Sequence, residues 1–219
     1  MLVEHRRRLV NDRTRISNRM TALLKSYFPQ VLTWFDDIRT ILVCDFLLRW
    51  PELEAVKRVS KPTLEKFFCG HNSVRKETNE QRIASIKEAM PLTTDRAVIN
   101  SSMLMIKALA SQMKTTIEAI KEFDTEITAL CQTHQDYHIF DSLPGAGPVY
   151  SSRLLAALGT NRERWTTSDQ LLCFSGIAPV VERSGKSEWI RWRYFCPKFM
   201  RQSFIEYAGE QSAAYFGAA

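Results

Sequence analysis

The tetrapeptide Ser184-Gly185-Lys186-Ser187, inside "VVERSGKSEWIRWRYF", offers two chemistries. As the end of a phosphate-binding loop it would cradle a nucleotide. As a serine among cations it would attack a phosphate. The loop needs Gly-x-x-x-x-Gly-Lys-Ser/Thr after a strand, because its leading glycine lets backbone amides wrap the phosphates. Counting back from Gly185, that position is Val180, and the nearest upstream glycine, Gly176, is too far away. No apolar strand ending in Asp accompanies it. The nucleotide reading fails.

The serine reading has more around it. Ser184 lies among Arg183, Lys186, Arg191 and Arg193, with Lys198 and Arg201 just beyond, and Trp189, Trp192, Tyr194, Phe195 and Phe199 are interleaved with them. Arginine and aromatic side chains in one stretch suit backbone contact plus stacking on nucleic acid. A hydroxyl is a weak nucleophile unless a base or nearby cations assist it. Arginines would stabilise the extra charge on a pentacoordinate phosphate. None of the four histidines is near in sequence and there is no Gly-x-Ser-x-Gly elbow, so a hydrolase triad is unsupported. On the residues alone, a surface turn with a basic face is an equal reading.

Two other constellations need weighing. In "LPGAGPVYSSRLLAAL", Gly145 and Gly147 allow a tight turn with positive φ, and Pro148 then starts a helix. This is the pattern of a helix-hairpin-helix turn, whose amides at a helix N-terminus can hold a phosphate; an ordinary tight connection between helices is the alternative. Cys131, His134 and His138 have spacings open to a metal, but residue 135 is Gln and no fourth ligand is evident, so a helix end with solvated histidines is favoured and no metal site is expected. Asp36 and Asp37 are adjacent, on different faces of a helix, and suit no shared ion.

The elements that must position these residues read as mainly helical. Residues 1–28 carry an apolar stripe (Leu2, Leu9, Ile16, Met20, Leu23), with arginines on the other faces and Pro29 as the stop. Residues 30–50 read as a second, more buried helix ending at Trp50-Pro51, Ser60 is placed to cap a third with Pro62 in its first turn, and "KETNEQRIASIKEAM" is a fourth. From Thr94 to about Thr133 there is no Pro or Gly, and Ile106, Leu109, Met113, Thr116, Ile120, Phe123, Ile127 and Leu130 step by three and four. That seam predicts a long coiled-coil helix, paired with the N-terminal helix of the same chain or with a second subunit. At His134 the character changes. We expect a helical, coiled-coil arm over 1–135 and a compact, mostly helical domain with partly extended, aromatic-rich stretches over 136–219.

Composition bounds the rest. The 219 residues, 45% of them hydrophobic, suffice for one sizeable core or two small ones. No apolar run approaches the ~20 residues of a membrane span, and the start has no secretory core, so no membrane is expected and the cytosol is the default. Five scattered cysteines with no Cys-x-x-Cys read as reduced, mostly buried thiols. The net charge of +6 is concentrated in Arg6, Arg7, Arg8, Arg13, Arg15 and Arg19 and in the cluster around Ser184. Two such patches predict a polyanionic partner; solvated helix faces are the plainer alternative.

The run "SLPGAGPVYSSRLLAALGTNRERWTTSDQLLCFSGIAPVVERSGKSEWIRWRYFCPKFMRQSFIEYAG" closely resembles the C-terminal domain of the IS one-ten (IS116/IS902-type) insertion-sequence transposases. It carries Leu-Pro-Gly-x-Gly-Pro, Ser-x-Gln-Leu, and Gly-Ile-Ala-Pro-Val followed by Ser-Gly-Lys-Ser. "HRRRLVNDRTRISNRMTALLKSYFPQVL" is similar to the family's arginine-rich helix leading into its coiled-coil arm. The resemblance implies transposition: a serine that attacks a DNA phosphate and becomes linked to it, a structured bridge RNA as guide, and a homo-oligomeric assembly with composite sites. Ser184 best matches the serine, with Ser187 and Ser175 as weaker matches. It also implies an N-terminal RuvC-like domain whose DEDD acids bind magnesium. This chain starts at the arginine-rich helix and ends at "QSAAYFGAA", so it is expected to be truncated at both ends, to bind no cofactor itself, and to be inactive alone. A catalytically inactive nucleic-acid-binding or oligomerisation fragment is the alternative function.

Overall fold

The computed structural model describes residues 1–73 and 75–216; Val74 and the last three residues of the expected C-terminal domain lie outside the described residues. The architecture is mainly α. In chain order the helices are α1 (Leu2–Tyr27), α2 (Val31–Trp34), α3 (Ile41–Arg49), α4 (Leu53–Lys57), α5 (Lys61–Gly70), α6 (Lys76–Glu88) and α7 (Arg96–Gln132). They continue as α8 (Tyr137–Asp141), α9 (Gly147–Leu158) and α10 (Ser168–Ser175). Strands β1 (Val180–Ser184) and β2 (Ser187–Arg191) precede α11 (Lys198–Phe216). Among the described residues no helix is long and apolar enough to cross a membrane.

Two compact units share this chain, residues 7–122 and residues 1–6 with 123–219. The composition change at His134 thus falls inside the second unit rather than at its edge. The first unit is more than an arm. Met20 and Leu24 of α1, Phe46 and Leu47 of α3, Leu64 and Phe68 of α5, Ile86 of α6 and Ile106 and Met113 of α7 all belong to one buried cluster. Phe46, fully buried, has the rings of Trp34, Phe35, Trp50 and Phe67 within 5.1–6.2 Å at steep angles, the edge-to-face geometry aromatic quadrupoles favour.

The long seam is real and is used within the chain. Ile106, Leu109, Met113, Ile117 and Ile120 of α7 are buried. The place expected for Thr116 is taken by Ile117, so the seam needs no polar break; the Thr116 hydroxyl donates instead to the Gln112 carbonyl at 2.7 Å. The single helix expected over 30–50 is two. Thr40 caps α3, its side chain accepting from the Val43 amide at 3.3 Å, and the Asp37 carboxylate holds Arg39 at 2.9 Å in the connection. Asx-type turn chemistry there outcompetes continuation of the helix.

A charged network braces α3, α5 and α7. Asp45 accepts from Lys114 at 2.8 Å, and the His71 ring lies 3.0 Å from its other oxygen. Burial raises the Asp45 carboxyl, but the Lys114 and His71 hydrogen bonds outweigh it and hold the group below its usual range. Beside it the Cys44 thiol is pushed up to about 12, by burial first and the Asp45 charge second. The cysteines are not mostly buried as their neighbours in sequence suggested. Only Cys44 is; Cys69 and Cys173 are exposed, because they fall on the solvent sides of α5 and α10.

The second unit has a smaller core, Phe140, Leu154 and Leu155 with Phe204 and Tyr207 packed against it. There α9 lies between α8 and α11. The N-terminal residues 1–6 pack within the same unit, where Arg6 grips Asp124 through Nε at 2.8 Å and Nη2 at 3.3 Å.

Candidate serine site and nucleic-acid interface

The Ser184 tetrapeptide forms the end of a β-hairpin. β1 and β2 are antiparallel with Ser184 opposite Ser187, so Gly185 and Lys186 are the two turn residues. Gly185 has φ +59°, while Lys186 keeps a negative φ. That combination belongs to a type II′ turn, which demands glycine at its first central position and matches the twist of the strands. A phosphate loop would instead lead from a strand into a helix, so the backbone supports the exclusion made from Val180.

Strand alternation sorts the side chains into two faces. Ser184, Ser187, Glu182, Trp189, Val180 and Arg191 share one; Arg183, Glu188, Val181 and Ile190 share the other. Every hairpin residue except Val180 is exposed. Ser184 and Ser187 therefore both present free access, and neither hydroxyl is hydrogen-bonded among the described residues. Ser175 is different: it is fully buried in the last turn of α10, and its hydroxyl donates to the Leu172 carbonyl at 3.1 Å.

The cations expected to surround Ser184 are not equally available. Arg183 pairs with Glu188 directly across the hairpin at 2.9 Å, and Arg191 pairs diagonally with Glu182 at 3.4 Å. Both pairs are exposed, so each adds little stability. They do offset charge: Arg183, Lys186 and Arg191 against Glu182 and Glu188 leave one net positive charge on the hairpin. Lys186 at the turn and Lys198 at the start of α11 are exposed. Arg193 and Arg201 do structural work. Arg193 Nε points to the Ala178 carbonyl at 3.5 Å, and Arg201 donates to the Arg193 carbonyl while lying 5.4 Å over the Trp192 ring. The aromatics are open: Trp189, Trp192 and Tyr194 are more than half exposed and Phe195 almost wholly so.

Of the first basic cluster, Arg6 is bound to Asp124, Arg15 pairs with Asp12 at 3.1 Å, and half-buried Arg7 and exposed Arg8 are each engaged in an interaction. Arg19 is exposed.

Gly145 and Gly147 adopt the positive φ expected of them, +64° and +52°, in the turn between α8 and α9. Gly145 is also crowded: a Cβ there would run into the amide of Gln211 on α11. Ser151 and Ser152, next in the motif, are buried and return their hydroxyls to helix carbonyls, Gly147 at 2.5 Å and Pro148 at 2.8 Å. Small serines here let α9 pack closely. Cys131 packs against the Phe140 cluster, His134 accepts from the Asp136 amide at 3.1 Å, and His138 Nδ1 meets the Gln135 carbonyl at 2.9 Å. Among the described residues no three His, Cys, Asp or Glu side chains gather as a metal site would need.

One residue of this unit escaped the sequence reading. Arg153 is buried on α9, donates to Glu206 of α11 at 2.5 Å, and lies 5.3 Å from the Tyr150 ring centre. Its signal was an arginine set inside the apolar run "SSRLLAAL", where only a paired charge is tolerated.

Residues 137–216 match the family model described as Transposase IS116/IS110/IS902 family. Over 196 residues the chain is 24% identical to a protein of Streptomyces coelicolor named mini-circle putative transposase for IS117, covering 84% of this chain and 45% of the relative. Over 189 residues it is 26% identical to the insertion element IS116 44.8 kDa protein of Streptomyces clavuligerus, covering 85% of this chain and 46% of the relative. A third relative, the insertion element IS110 43.6 kDa protein of Streptomyces coelicolor, is 22% identical over 82% of this chain and 44% of its own length. The chain thus spans a little under half the length of these relatives. No solved structure matches it.

Proposed function

We propose, on the premise that residues 137–216 are a transposase domain of the IS116/IS110/IS902 family, that this chain takes part in moving insertion-sequence DNA, with Ser184 as the group that attacks the DNA backbone. The observation that carries this is the place of Ser184: inside the matched segment, at the exposed end of a hairpin, beside a turn lysine. The step is a transesterification. The Ser184 Oγ–phosphorus bond forms as one phosphorus–oxygen bond of the strand breaks, and the serine proton ends on the leaving strand's oxygen. One phosphodiester replaces another, so no external energy source is needed. Lys186 stands where it can offset charge on the pentacoordinate phosphate. Trp189, on the same face as Ser184, and the open aromatics Trp192, Tyr194 and Phe195 supply stacking surface for bases.

The finer parts of the reading follow from the family resemblance: a structured bridge RNA as guide, assembly of several copies in the cytoplasm, and a helix-hairpin-helix role for the Gly145–Gly147 turn against phosphate. A second reading, nucleic-acid binding without chemistry, is favoured by one observation. No side-chain base is hydrogen-bonded to the Ser184 hydroxyl among the described residues.

Trapping a covalent protein–DNA adduct tests the proposal, with the chain alone and with a full-length relative supplied. An adduct abolished by Ser184→Ala and kept by Ser187→Ala assigns the nucleophile. No adduct in either setting, with DNA still bound, selects the binding reading. An adduct that persists in Ser184→Ala overturns the assignment.

A further inference from the structure

Outside the matched segment, residues 7–122 contain a cleft of about 610 Å³ lined by Arg49, Pro62, Thr63, Lys66, Phe67, Gly70 and His71. Its long wall is one face of α5: positions 62/63, 66/67 and 70 recur every three to four residues and so lie in a row along the helix. Arg49, at the end of α3, stands on the other side. No carboxylate lines the cleft.

The charges here are uncommitted. Arg49 and Lys66 are exposed, and neither is paired with an acid among the described residues; the Arg49 guanidinium rests 4.7 Å over the Trp50 ring, which leaves its edge free. The nearest acid that touches the lining is Asp45, through His71, and Lys114 already neutralises it at 2.8 Å. Both His71 ring nitrogens are engaged, one facing Asp45 at 3.0 Å and the other the Phe67 carbonyl at 2.9 Å. Its ring lies 4.4 Å from that of Phe67, so the two form an apolar, polarisable floor. Two cations on the rims over an aromatic and proline floor, in an open trough, form a track for a chain of phosphates and sugars rather than a pocket for a small anion. A compact phosphate site would converge donors on one point.

We propose that this cleft is a second nucleic-acid contact of the protein, in which Arg49 and Lys66 each hold a backbone phosphate of one strand. The inference rests on the reading that the chain binds nucleic acid, and adds a surface far in sequence from the serine hairpin.

The test is equilibrium binding of the full chain to a labelled duplex DNA and to a labelled RNA hairpin across a salt series. Arg49→Gln with Lys66→Gln should lower the slope of log affinity against log salt by roughly 1.8 on duplex, since each lost phosphate contact removes about 0.9. The charge-matched pair Lys25→Gln with Lys107→Gln, both exposed and away from the cleft, should leave the slope unchanged. Gly70→Leu is an independent steric arm. A Cβ at Gly70 meets nothing within 4 Å, the residue is exposed and φ there is not positive, so the fold should tolerate a side chain that blocks the trough, and affinity should fall with the slope of the wild type lost in part. An unchanged slope in the Arg49/Lys66 variant and unchanged affinity in Gly70→Leu overturn the cleft and leave nucleic-acid binding standing. An equal effect of the control pair overturns it too, as does full displacement by millimolar inorganic phosphate. A wild-type chain that binds neither DNA nor RNA overturns the underlying reading, and the cleft with it.

Discussion

Ser184 and Ser187 face each other as the last cross-strand pair before the Gly185-Lys186 turn. Their side chains emerge on the same face of the hairpin, a few ångströms apart by the geometry of such pairs. A phosphate brought to one is thereby brought to the other. Reactivity is thus set by which hydroxyl is aligned with the scissile bond, and only the paired single substitutions distinguish them.

The turn should be sensitive to its first residue. Gly185→Val forces a β-branched residue to positive φ and should cost about 1–3 kcal/mol locally, whereas Lys186→Asn keeps the glycine where the turn needs it and should cost much less. Apart from Val180 the hairpin is exposed, so the melting temperature will barely move. Cross-strand nuclear Overhauser contacts between residues 184 and 187 are the measurement: lost in the valine variant, kept in the asparagine variant.

Leu109 of α7 is 2% exposed within the core of residues 7–122. Leu109→Lys buries an unpaired charge and should destabilise the fold by more than about 3 kcal/mol. Urea unfolding followed by circular dichroism reads this directly. Were the seam an interface between copies instead, the same substitution would lower the oligomer mass in sedimentation and spare the melting curve.

At the centre of the α3–α5–α7 network, Asp45→Asn removes the charge and turns one of the two accepting oxygens into an NH2, so either Lys114 or His71 loses its acceptor, which should cost about 1–3 kcal/mol. The sign of the pH effect follows from the direction of the shift. The folded carboxyl ionises below its unfolded value, so its contribution is present above about pH 4 and is lost as pH falls through the folded value. Acid unfolding of the wild type should therefore be steeper below pH 4 than that of Asp45→Asn.

Thiol labelling should split the cysteines. Cys69 and Cys173, exposed, should react with iodoacetamide in the native protein at pH 8, while buried Cys44, its thiol pushed up to about 12, should react only on unfolding. Peptide mass spectrometry identifies the modified positions.

Periodicity made the helices legible. The Leu2–Tyr27 and Arg96–Gln132 helices are where their stripes put them, because a long amphipathic pattern leaves few alternatives. The split between α2 and α3 was hidden, since an apolar run looks the same whether one helix or two bury it and the decisive capping by Thr40 is a contest among local hydrogen bonds. The hairpin was only half visible. "VVERS" and "SEWIR" show partial alternation, but their pairing depends on the Gly185 backbone, and the pairing is what commits Arg183 and Arg191 to Glu188 and Glu182. Charge counted along a sequence does not reveal such cancellation. The Arg49–Lys66 cleft was invisible for the converse reason: its two cations lie seventeen residues apart on different helices, and nothing in their spacing marks them as neighbours.

A hairpin in which side chains alternate with a period of two has an arithmetic of its own. Adding or deleting one residue between Val180 and Ser184 would turn the serine to the opposite face, among Arg183 and Ile190. Length is then inherited more strictly than identity: near this tip, relatives that keep the serine's orientation should gain or lose residues in twos, while the residues themselves drift.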